Sequence, residues 1–223
     1  MANVRDMGLG QWNEFSVALH KAGFDSDLIQ KIINAKDNKL AKAMYTAVTG
    51  EELDERFGPA IVEFELTVPV DYNHDTQIDT SGAKARKEKT TYCYNNALTS
   101  KNFAKATNKL LPGKTYKVKI IPILATATVT SEDCMTFSRK QNVILVGGQG
   151  ATLVYDLAKD KLPKNKYIVS FDEKEAVWKD AEGDRRVPCL YAGADGDFGF
   201  YLGNFGGDWD SDDCVLCFCD LSA

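Results

Sequence analysis

Histidine is nearly absent: 223 residues carry two, His20 and His74. It is the usual general base near neutral pH, so histidine-led acid–base chemistry has almost no candidates here. His20 falls beside Leu19 at the surface of an expected helix, and His74 falls in a polar stretch. No Gly-x-Ser-x-Gly elbow supplies a nucleophile, and no residue is assigned a catalytic role. Also missing is any run of about 20 apolar residues, which leaves no candidate membrane span. The opening MANVRDMGLGQW lacks the basic-then-apolar order of a secretory signal. A cytoplasmic location is expected, with no membrane partner. No internal repeat breaks the chain into units.

The six cysteines, Cys93, Cys134, Cys189, Cys214, Cys217 and Cys219, are few for a chain of this length and apolar content. No disulfide framework is needed for stability. Cys214-x-x-Cys217-x-Cys219 raises a zinc site, where thiolates must converge on one ion at about 2.3 Å. In an extended run Cys217 and Cys219 share a face and Cys214 takes the opposite one. No glycine bends the segment, and Val215, Leu216 and Phe218 ask for a core. A buried strand is the reading, with the thiols as small hydrophobes.

What is present describes an α+β protein: a short N-terminal helical unit, residues 1–57, then a mixed β-sheet domain, residues 58–223. Trp12, Phe15, Leu19 and Ala22 share a helical face, and two more short helices fit before Gly50. The charges there are mixed, which argues for packing or docking rather than DNA reading. After Gly58, Val62, Phe64, Leu66 and Val68 alternate with Glu63, Glu65 and Thr67, the pattern of a half-buried strand. Pro69 removes a ladder donor, so that strand lies at an edge or ends there. Residues 71–91 are polar and read as a loop or hairpin. A helix is expected from Thr99 or Ser100 to Leu111, then a strand carrying Tyr116, Val118 and Ile120. Ser131 is the expected cap of a short helix.

Residues 142–171 organise the rest. Val143–Val146 form a short apolar run, Gly147, Gly148 and Gly150 break it, and Leu153, Val154, Leu157 and Ala158 have the spacing of a helix facing a sheet. With Tyr167–Phe171 as a second strand, the order predicts one right-handed βαβ crossover between parallel strands. A C-terminal antiparallel meander follows, with Asp180–Asp184 as its first hairpin loop. Four segments, PGKTYKVK at 112–119, ILVGGQG at 144–150, YIVSFDEK at 167–174 and CVLCFCD at 214–220, resemble a family of uncharacterised bacterial proteins. The resemblance spans about residues 92–221. It implies one integrated C-terminal domain and no particular activity.

Three stretches carry candidate chemistry. Gly147, Gly148, Gln149 and Gly150 stand between a strand and a helix, where backbone N–H groups attract a phosphorylated or nucleotide ligand. The spacing fits neither the dinucleotide fingerprint nor a P-loop, and a tight structural turn competes. Asp71, Asn73, Asp75 and Asp79 occupy positions 1, 3, 5 and 9 of a calcium-like loop, but Thr76 and Gly82 stand where its glycine and bidentate glutamate belong. Solvated turn carboxylates explain them, so no cofactor is required and calcium is the one candidate. Between Lys84 and Lys119, ten Lys or Arg oppose the single acid Glu88, while thirteen acids oppose four bases from Ser170 to the end. The two blocks either neutralise each other or leave a contact surface. The favoured reading is a non-enzymatic binding protein that meets an acidic protein or nucleic acid through a basic contact surface at residues 84–119, with Lys84, Arg86, Lys87, Lys89 and Tyr92 as its named contacts. The alternative is a small-ligand protein or enzyme built on the glycine turn.

Overall fold

A computed structural model describes residues 14, 17–21, 25, 54–88, 91–93 (backbone only), 97–124 and 128–221. The chain divides into two units, Met1–Leu53 and Asp54–Ala223. In the first, residues 17–21 are helical and His20 is exposed. The other helical turns expected between residues 11 and 50 lie outside the described residues. The division falls four residues before the expected Gly58, and Phe57 packs inside the second unit. Its ring stacks on Phe137 with centroids 4.0 Å apart, and its backbone bridges Ile123.

The second unit is α+β. Its strands are β1 (Val62–Thr67), β2 (Thr91–Cys93), β3 (Thr115–Pro122), β4 (Val129–Thr130), β5 (Tyr167–Val169), β6 (Trp178–Lys179), β7 (Arg185–Ala192), β8 (Phe198–Asn204), β9 (Asp208–Trp209) and β10 (Asp213–Asp220). Its helices are α1 (His74–Lys87), α2 (Ser131–Lys140) and α3 (Gly147–Ala158). One mixed sheet runs β1-β3-β10-β5-β7-β8-β2, with β6 beside β7, and β4 and β9 form a separate pair. β1 is an edge strand ending just before Val68 and Pro69, as its proline requires. β6, β7 and β8 are the expected antiparallel meander.

β10 is the spine, antiparallel to β3 and parallel to β5. Cys214, Leu216 and Phe218 enter one core, with Ile78 and Ala85 of α1 and Leu153, Val154 and Tyr155 of α3. Val215, Cys217 and Cys219 enter the other, with Cys134, Met135 and Phe137 of α2. A strand buried on both faces needs an unbroken apolar run, which explains CVLCFC. Each fully buried Phe, Leu or Val contributes roughly 1.5–3 kcal/mol. The sheet is therefore the middle layer of three.

Five expectations are corrected. Val143–Val146 make no ladder: Ile144 forms a single antiparallel bridge to Phe218, whose N–H···O bond is 2.7 Å. Gly147, at φ +45°, then turns the chain directly into α3. β5 is parallel to β10, but the chain between them runs through β7 and β8, so the βαβ crossover is absent. Residues 71–91 are not a loop over most of their length. α1 starts there because Asn73 accepts the Asp75 N–H as N-cap and Ile78 enters the core. The helix expected at 99–111 reduces to one turn at Thr99–Phe103. Beyond it, backbone donors go to side chains elsewhere: Thr107 N–H to Asp172, Leu110 N–H to Gln149 and Leu111 N–H to the Tyr116 hydroxyl. In α2 the cap is Thr130, one residue before Ser131, in a reciprocal capping box with Asp133.

Candidate functional site

The first turn of α3 is buried throughout. A Cβ on Gly148 would lie 2.7 Å from Ile78 Cδ1, and one on Gly147 would lie 2.9 Å from Asp172 Cβ. One on Gly150 would meet Val146 Cγ2 and lie 3.2 Å from Phe218 Cε2. These glycines admit neighbouring protein rather than a ligand. Against them sits a cavity of about 10 Å³, bordered by His74, Lys105, Gln149 and Asp172, about the minimum for one water and far short of a phosphate.

Polar groups around that cavity are tied down. Gln149 accepts from Leu110 N–H at 2.9 Å and from the Tyr72 hydroxyl at 3.2 Å, and donates to the Asn108 carbonyl. Tyr72 spends its one proton on Gln149, so in its 3.3 Å contact with His74 the ring Nδ1 is the donor. His74 Nε2 is buried without a hydrogen-bond partner. Burial raises the Tyr72 phenol, with the Asp75 charge adding to it. Asp172 is 7% exposed; its Oδ1 accepts Thr107 N–H at 3.2 Å and Glu173 N–H at 2.7 Å. Burial still raises its carboxyl above the ordinary aspartate value, against those bonds.

The candidate calcium ligands lie in and just before α1, not in a binding loop. Asn73 is the N-cap, and Asp79 accepts the Ser100 N–H at 3.0 Å. Asp71 and Asp75 are exposed, Asp75 lying 4.0 Å from Lys109. Another carboxylate group, Asp180, Glu182 and Asp184, stands in the β6–β7 loop. There Asp180 holds the turn, accepting from Glu182 N–H, Asp184 N–H and Arg186 Nε.

The basic stretch is divided by the fold. Lys84 pairs with Asp156 at 3.4 Å, Lys117 with Glu63 at 2.6 Å and Lys114 with Asp220 at 2.6 Å. Of these partners only Asp220 belongs to the acidic C-terminal block, so among the described residues these three lysines are paired mostly outside it. Arg86 and Lys87 are exposed in the last turn of α1, where cations suit the helix dipole. Lys89 and the Tyr92 side chain lie outside the described residues.

A different set converges. Lys101, Lys105, Lys174, Lys179 and Arg185 line a groove of about 560 Å³ together with one carboxylate, Glu175, and the apolar Ala104, Ala176, Val177 and Trp178. Lys174 is held by Glu132 at 2.6 Å. Among the described residues no carboxylate pairs with Lys101, Lys105, Lys179 or Arg185. The β6–β7 register sets Lys179 directly against Arg185, like charge opposite like charge. Trp178, backed by Phe103 at 5.9 Å between ring centroids, is half-buried and forms one wall. Lys101 and Lys105 were within the expected basic region. Trp178, Lys179 and Arg185 flank the expected Asp180–Asp184 hairpin loop in a segment that is acidic in sum, and it is the packing of residues 101–105 against that hairpin that makes one groove.

No protein family, curated protein or solved structure matches the chain. Neither a source nor an activity comes from similarity, and the class that the fold defines is an α+β domain around one mixed sheet. No helix among the described residues is long and apolar enough to cross a membrane.

Proposed function

We propose that this protein is a non-enzymatic binding protein that receives an anionic chain in the groove around Trp178. The observation carrying this is the excess of cations in one hollow: Lys101, Lys105, Lys179 and Arg185 make no ion pair among the described residues, Arg185 donates to the Lys174 carbonyl, and Glu175 is the single carboxylate in the lining. Like charges set opposite each other in a ladder destabilise a sheet, so their retention fits a surface kept for an opposite charge. An apolar floor and an aromatic wall add contact area to the electrostatic pull. The groove thus keeps the basic-contact reading and moves its centre from residues 84–92 to the loop at 101–105 and the β6–β7 ribbon.

The test is binding of a fluorescent poly-glutamate to the native chain and to Lys101→Ser/Lys105→Ser, with Lys84→Ser/Lys87→Ser as comparison. Binding should weaken steeply between 50 and 200 mM salt, since surface charges are screened over about 8–10 Å near the upper value. The groove double variant should lose about tenfold in affinity, and the helix variant should lose much less. Equal losses would return the contact surface to α1.

A further inference from the structure

Resting on that reading, we infer that the occupant is a peptide segment of two charges: an acidic stretch followed or preceded by a basic one, with the join at Trp178. Trp178 separates two hollows. On one side lies the cationic groove; on the other lies a hollow of about 530 Å³ bordered by Ala97, Asp180, Ala181, Glu182 and Arg186. In that second hollow two loop carboxylates, Asp180 and Glu182, face one guanidinium, Arg186, which Asp180 holds at 2.7 Å and Asp184, outside the lining, at 3.3 Å. The loop is held in shape by Asp180, and Gly183 takes φ +89° at its tip. Glu182 is exposed and makes no ion pair of its own, its charge acting on Arg186 from further off than those of Asp180 and Asp184. The local charge therefore changes sign across one indole ring.

An acidic segment lying beside Lys101, Lys105, Lys179 and Arg185 must, if it continues past Trp178, meet carboxylates. A uniformly negative chain is repelled there, and a basic residue is welcomed. This counts against nucleic acid, whose phosphates repeat without change of sign and which favours cationic tracks with several stacking rings. Among the described residues one ring, Trp178, lines the groove, and the cationic track stops after it. A peptide whose carboxylates fill the groove and whose lysine or arginine reaches Glu182 satisfies both ends.

The experiment uses the full chain and three labelled probes of equal length in fluorescence anisotropy. These are a peptide with four acidic then two basic residues, an all-acidic peptide, and a single-stranded oligonucleotide. The two-charge peptide should bind about tenfold tighter than the all-acidic one. Glu182→Gln, an exposed loop change that leaves the turn bonds of Asp180 in place, should remove that preference while leaving the all-acidic peptide bound at least as well. Lys101→Ser/Lys105→Ser should weaken both peptides. If the all-acidic peptide binds as tightly as the two-charge one, the inference fails while the cationic groove stands. If the oligonucleotide binds tightest, the partner is nucleic acid and the inference fails. If no probe binds, the groove reading fails with it.

Discussion

Asp172 carries its charge in the least favourable surroundings among the described carboxylates of the second unit. Burial raises its carboxyl, which means that the folded chain holds the proton more tightly than the unfolded chain does. Its stabilising contribution is fully present below the unfolded aspartate value of 3.8 and is lost as pH rises through the folded value. At neutral pH the ionised group is a cost. Asp172→Asn keeps an oxygen to accept from Thr107 and Glu173 without that charge. Urea unfolding should find the variant more stable than the native chain at pH 7, with the difference shrinking toward pH 4. A variant less stable at pH 7 would show that the carboxylate gains more from its two N–H donors than burial takes away. Gly150 makes the complementary steric case. In an open helix, glycine to alanine gains up to about 1 kcal/mol. Here the added methyl enters Val146 and crowds Phe218, and overpacking costs roughly 1–3 kcal/mol. Gly150→Ala should therefore lower stability, which a shift of the urea midpoint at constant slope would record.

At the scale of elements, strands were more legible than helices. β1, β3 and β10 announce themselves because alternation or an unbroken apolar run is a dense signal over six to eight residues. α1 offers only Ile78 and Ala85 as buried apolar residues; its other buried positions are Ser81 and Gly82. It is held by polar links that no periodicity reveals, with Gln77 and Ser81 both donating to Asp156 at 2.9 and 2.6 Å. The segment 99–111 shows the converse: a helical pattern overridden because its donors are claimed by Asp172, Gln149 and Tyr116. The candidate groove was half legible: Lys101 and Lys105 stand in the basic stretch and the hairpin around Asp180–Asp184 was expected, but no periodicity shows that the two segments meet at one hollow. The pairing of β6 with β7 makes a prediction. Removing one of two opposed like charges by Lys179→Ser should raise stability by about 0.2–1 kcal/mol while weakening capture of poly-glutamate. A variant that loses stability would mean that the two side chains splay apart and feel no repulsion. β10 makes another. Burial pushes the thiols of Cys134, Cys189 and Cys214 up to about 12 and raises those of Cys217 and Cys219 as well. Thiolate is the reactive form, so these five should resist iodoacetamide in the folded chain at pH 7.5 and react in urea, as read by peptide mass spectrometry. Labelling of Cys217 before unfolding would show that the strand opens.

For the whole molecule, the question is how much chain the sheet needs. Two cores lie on opposite faces of β10, and both belong to Asp54–Ala223. Hydropathy places the start of this unit near Gly58, because Glu51–Gly58 is acidic and polar and looks like a connection. The fold uses residues 54–57 differently. Phe57 is 4% exposed in the core beneath α2, and Arg56 binds Asp54 at 2.8 Å and Asp133 at 2.7 Å. The guanidinium holds both carboxyls below the usual aspartate value. Their contribution is present above pH 4 and fades as pH falls through the lowered values. It is small at this exposure, since surface pairs are worth about 0–1 kcal/mol. Loss of the Phe57 ring costs more: a deleted core phenylalanine typically removes about 3–5 kcal/mol, a large share of the 5–15 kcal/mol that holds a domain. Two truncations separate the contributions. A chain beginning at Asp54 should unfold in one cooperative urea transition. One beginning at Gly58 should have its midpoint lowered by an amount matching the phenylalanine, and the full chain with Phe57→Ala should fall by nearly as much. Equal midpoints for the two truncations would mean that the ring seals no cavity and that the sheet closes without the segment before it.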